Sequence, residues 1–154
     1  MKVRTSLFAL VTCFVFVTLS FAENPNMGTW KLNEAKSKIS AGSPKNTTVI
    51  YEAAGDDVKV TVEGVDGQGK PTHNEWTGKF DGKDYPVTGD PNSDARSLKQ
   101  IDERTLGLTV KKDGKVTLTG KITVAANGKT RTVTTNGTDP SGKKIQTKFV
   151  YDKQ

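Results

Sequence analysis

The sequence predicts an all-β domain: an antiparallel, up-and-down β-barrel of about eight to ten strands with little or no helix. Three observations carry this. From Thr47 onward, apolar and polar residues alternate in short runs broken by Gly, Asp and Asn, the period-2 pattern of half-buried strands. Hairpin signals recur between those runs, and no segment among them shows a sustained helical stripe. A meander of so many one-sided strands leaves two open edges unless it closes on itself. The alternation reports only that one face is buried, so a two-sheet sandwich fits it too.

Residues 1–22 stand apart. Lys2 and Arg4 precede an apolar run from Leu7 to Leu19, and the small residues Ser20 and Ala22 flank Phe21. This is the layout of a secretory signal peptide with cleavage after Ala22. The run is short of the ~20 apolar residues a membrane-spanning helix needs, and no second such run follows. The expected product is therefore exported, periplasmic or extracellular, with residues 23–154 as one barrel domain and no transmembrane segment. Val11 and Thr12 stand where a lipoprotein signal would need small residues before Cys13. Losing residues 1–22 removes two of the 23 basic residues and none of the 17 acidic ones, so the net charge falls from +6 to +4. Cys13 goes with them. No disulfide can form within the mature chain, and its core and ladders must hold it.

The turns set the expected pairings. In "VIYEAAGDDVKVTV" a four-residue loop sets Val49, Tyr51 and Ala53 against Val62, Val60 and Val58, with Glu52 against Lys59 outside. In "NEWTGKFDGKDYPVT" an Asp81-Gly82 turn sets Trp76 opposite Val87 and Lys79 opposite Asp84. Short runs follow near Asp84 to Thr88 and Ala95 to Ile101. In "LTVKKDGKVTLTG" a two-residue Asp113-Gly114 turn would put Lys111 against Val116. A three-residue loop, Lys112 to Gly114, instead pairs Val110 with Val116 and Leu108 with Leu118, and is preferred for that reason. In "GKITVAANGKTRTVTT" a two-residue Asn127-Gly128 turn sets Ile122 opposite Val133 and Val124 opposite Arg131. The first strand is Gly28 to Leu32 and the last Lys144 to Asp152. Trp30, Tyr51, Val60, Trp76, Leu108, Leu118, Val133 and Phe149 are expected to share one interior.

The two chain ends add a resemblance. "MGTWKLNEAKSK" resembles the opening of the calycin superfamily, both the Gly-x-Trp of lipocalins and the "GTWKL" start of fatty-acid-binding proteins. "NGKTRTVTTNGTDPSGKKIQTKFVYDKQ" resembles the last hairpin of the latter, and the chain is similar to small exported bacterial lipocalin-like proteins. The resemblance implies a lipocalin-like barrel with Trp30 plugging one end, although an ordinary core Trp fits the same residue. Fatty-acid-binding proteins carry an Arg-x-Tyr that grips the ligand carboxylate. Here the triplet is Phe149-Val150-Tyr151, so only the tyrosine carries over. "NEAKSKISAGSPKN" leaves room for one helical turn in place of a helical lid. The Thr-Asp-Tyr turn and the arginine over the Trp that mark lipocalins have no clear match.

Function follows from what remains. Without Cys, and with His73 alone on an outward strand position, there is no nucleophile and base, and no catalytic residues are expected. "DPNSDA" lacks the glycine and the terminal glutamate of a calcium loop, so it is a solvated turn and no metal or cofactor is expected. Lysines are scattered among acids with no basic-aromatic stripe, which argues against nucleic acid. The expectation is a monomeric, non-enzymatic binding protein that carries a small, mostly apolar, lipid-like amphiphile in its barrel. Arg131 falls on the inward face near the mouth, where it either meets an anionic headgroup with Tyr151 or reaches water as a rim residue. Trp76, Phe80, Tyr85 and Phe149 are the expected apolar lining. The alternative is a surface-acting envelope or adhesion module using its basic and Thr-rich outer faces.

Overall fold

The computed structural model describes residues 24–40, 42–138 and 144–154. The signal-like segment 1–22, with Cys13 and its cleavage site, lies outside the described residues. Ten antiparallel strands form a closed barrel in meander order. They are β1 (Gly28–Leu32), β2 (Lys45–Ala54), β3 (Asp57–Val65), β4 (Pro71–Gly78), β5 (Tyr85–Thr88), β6 (Ala95–Gln100), β7 (Thr105–Lys112), β8 (Lys115–Val124), β9 (Thr130–Thr138) and β10 (Lys144–Lys153). Strand β1 completes the ring by pairing with both β2 and β10, with Trp30 opposite Val49 on one side and Lys153 on the other. Closure satisfies both edges and excludes the sandwich. A single 3-10 turn, Glu34–Lys36, follows β1, capped by the Asn33 side chain accepting from Lys36 N.

The β2–β3 register is the expected one, with Val49, Tyr51 and Ala53 opposite Val62, Val60 and Val58, but the loop is only Gly55-Asp56 because Ala54 also pairs with Asp57. Trp76 sits opposite Val87 as expected. The segment between those strands does not form a tight Asp81-Gly82 hairpin. It lies against β6, with Gly82 N donating to Leu98 O and Gln100 N to Phe80 O. Lys79 and Asp84 are consequently apart: Lys79 reaches Asp57 at 4.0 Å, and Asp84 takes Lys111.

Two further turns differ from expectation. Asp113 (φ 50°) and Gly114 (φ 74°) form a two-residue turn, pairing Lys112 with Lys115 and Lys111 with Val116. The apolar pattern is rescued by a bulge at Val110/Lys111, beyond which Val110 faces Leu118 and Leu108 faces Gly120. A bulge adds the one residue that a longer loop would have supplied. Between β8 and β9, Ala125 N donates to Thr130 O and Gly128 N to Ala125 O, so the loop spans four residues rather than two. It is centred on the same pair, and Ile122 still meets Val133 and Val124 still meets Arg131.

The inward residues divide the barrel into two ends. At the end where β1 begins, residues 24–27 cross the opening, and Trp30, Val58, Leu98, Leu106 and Val124 are at most 1% exposed. Towards the other end, Leu108, Val110, Leu118, Val133 and Phe149 are only half-buried, and Ile145 and Val116 are exposed at the rim.

Candidate functional site

The sealed end is organised by Trp30 and Arg131. Strand β10 lies between β1 and β9, which brings the start of β9 beside Trp30 across 101 residues of sequence. The Arg131 guanidinium carbon stands 4.9 Å from the Trp30 ring, 5.0 Å from Tyr51 and 4.8 Å from Tyr151. The expectation of no arginine over the Trp is therefore corrected, since Arg131 lies over the Trp30 ring. Nor is it a rim residue reaching water, since it is 2% exposed. Its Nε and Nη1 have no hydrogen-bond partner among the described residues. Three ring faces offset part of the cost of burying the charge. Burial pulls the Arg131 pKa below the usual arginine value, opposed by the Tyr51 and Tyr151 hydroxyls. Trp30 Nε1 donates to Asn26 O at 2.9 Å, so the crossing segment is tied to the plug.

Tyr151 donates its hydroxyl to Asn46 O at 3.1 Å. Burial pushes its pKa from 10.0 up to about 12, against the pull of the Arg131 charge. A phenol that ionises later in the folded chain gives stability that is complete below pH 10 and lost as pH rises from 10 to 12. Denaturant unfolding across that window should show a loss of roughly 3 kcal/mol in the parent that is absent in Tyr151→Phe, from ~1.4 kcal/mol per pH unit. Equal losses in the two proteins would mean that Tyr151 is not the group responsible.

The other expected lining residues form a second group. Trp76 is 1% exposed, donates Nε1 to Arg96 O at 2.8 Å and meets Tyr85 edge-on at 5.7 Å. Gly78 makes room for that pair, because a Cβ there would lie 2.5 Å from the Tyr85 ring. Phe80 packs on Tyr51 at 6.4 Å. Phe149 is paired with Val133 and belongs to the half-buried wall. The structure thus brings Arg131 and Tyr151 together, brings Trp76 and Tyr85 together, and sets Phe149 on the more open wall.

Sequence reasoning missed a second inward arginine. Arg96 pairs with Tyr85 and Val110 and so shares the inward face of β6 with Leu98. Its Nη2 donates to Asn74 Oδ1 at 3.2 Å. Burial holds its pKa below the usual arginine value, with Tyr51 and Asp90 opposing. The apolar Leu98 two residues on was the available signal, since residues two apart share a face.

An open, shallow cleft of about 520 Å³ lies at the other end over β8, β9 and β10, and residues of both strand faces line it, Val116, Leu118 and Ile145 beside Thr117, Asn136 and Gln146. His73 lies outside, its Nδ1 2.6 Å from Glu63 Oε1. Among the described residues no group of His, Cys, Asp and Glu is placed to hold a metal, and no helix is long and apolar enough to cross a membrane. A scan of the chain against protein-family models finds no match, and a search of curated proteins finds no similar sequence.

Proposed function

We propose that this chain is an exported, non-enzymatic carrier of a small, mostly apolar amphiphile held in the barrel interior. The observation that supports it is the asymmetry of the core. One end is sealed, while Leu108, Val110, Leu118, Val133 and Phe149 face inward and are only partly buried toward the other. Apolar surface left open inside a barrel gains free energy when a hydrocarbon chain covers it, about 25 cal/mol per Å². On this reading the tail lies along Phe149 and its neighbours, and Trp76, Phe80 and Tyr85 form the opposite wall. Arg131, closed in by Trp30, Tyr51 and Tyr151 at the sealed end, does not touch the ligand, but its charge adds a positive potential inside the barrel that suits an anionic amphiphile. Native mass spectrometry of protein purified from its own host should show a co-purified lipid-like mass that is released on denaturation. Protein that is uniformly free of such a mass, and that binds no added amphiphile, would instead favour a surface module acting through its basic and Thr-rich outer faces.

A further inference from the structure

We infer that Arg96, together with Asn74, receives the acidic group of the bound amphiphile, so that the barrel selects an oxyanion headgroup, carboxylate or phosphate. The inference rests on the carrier reading above and adds the residue and the ligand class.

Charge inside the barrel is the first observation. The strand registers place Arg96 and Arg131 inward with no aspartate or glutamate of a strand beside them, and Asp94, two residues before Arg96, is exposed and accepts from Asp113 N at 2.7 Å. None of the ion pairs among the described residues includes an arginine. Asp90, whose charge Arg96 feels, has its carboxylate committed to its own turn, accepting from Asn92 N at 2.9 Å and Ser93 Oγ at 2.6 Å. A partly dehydrated guanidinium with one neutral partner gains most from an anion that reaches it.

Access separates the two arginines. Arg131 is closed in by Trp30, Tyr51 and Tyr151. Arg96 is half-buried, and the side chain it bonds, Asn74, is a neutral amide that does not cancel its charge. It also faces Val110 across the β6–β7 ladder, next to the half-buried wall, so an acid at Arg96 leaves its tail beside Leu108 and Val110. Arg131 then acts as a plug residue and Arg96 as the headgroup residue.

The test is calorimetric titration with decanoate, decyl phosphate and the neutral decanamide. The parent protein should prefer one or both anions to decanamide, and which of the two it prefers separates carboxylate from phosphate. Arg96→Gln should weaken the preferred anion roughly 10- to 150-fold, the scale of a hydrogen bond to a charged group, with decanamide unchanged. Arg96→Lys should recover part of the loss. Asn74→Asp, which sets a carboxylate against Arg96, should abolish the preference by internal neutralisation and serves if the glutamine variant does not fold. Equal weakening of all three probes in Arg96→Gln, or a preference lost in Arg131→Gln and kept in Arg96→Gln, overturns the assignment while leaving a carrier. Failure of the parent protein to bind any of the three overturns the carrier reading itself.

Discussion

Trp30→Ala should destabilise the barrel by about 3–5 kcal/mol, the range for removing a buried aromatic side chain. Trp30 is 0% exposed, and three separate interactions end with it. The cavity left behind is at the sealed end, where Val49 on one side and Lys153 on the other are fixed by ladder pairing and cannot collapse inward without breaking closure. The indole Nε1 bond to Asn26 O disappears, releasing the segment that crosses the opening. Arg131 loses one of the three rings around its guanidinium and keeps its desolvation cost. Trp30→Phe retains a ring for Arg131 and should lose less, mainly the indole hydrogen bond at about 1 kcal/mol and some packing. Denaturant unfolding curves for the two variants measure both effects. A loss below about 1 kcal/mol for the alanine variant would mean that the crossing segment and Trp30 do not seal this end.

The second large effect separates two leucines that the sequence pattern treats alike. Leu106→Ala should cost roughly 2–5 kcal/mol, because Leu106 is 0% exposed and sits within the main apolar cluster. Leu118→Ala should cost only about 1 kcal/mol, since Leu118 is half-buried beside Gly137 and borders the open cleft. The expectation that Leu118 is a core residue followed from its inward parity, which is correct; parity does not report depth along the barrel. Comparable losses at the two positions would show that the second end is packed as tightly as the first. On the carrier reading, Leu118→Ala should also weaken a bound amphiphile, whereas Leu106→Ala should act through stability alone.

The sequence by itself determined the strands, their faces and most of their pairings. Period-2 alternation and short turns are local signals, and each hairpin must keep apolar opposite apolar or expose its core face. That logic sets Tyr51 against Val60, Trp76 against Val87 and Ile122 against Val133, all of which the structure contains. It failed at Asp113-Gly114, where a two-residue turn and a bulge give the same inward faces as a longer loop but shift the partners by two, Val110 meeting Leu118 and Leu108 meeting Gly120, so alternation cannot distinguish them. Tertiary structure alone decided three things. Closure depends on β1 meeting β10, a contact between chain ends with no local signature. The same contact puts Arg131 between Trp30, Tyr51 and Tyr151, making a plug of a residue whose sequence position suggested a mouth. Depth along the barrel, which leaves Arg96 half-buried, bonded to Asn74 and in no ion pair among the described residues, depends on where ten strands of unequal length overlap, and strand parity carries no information about it.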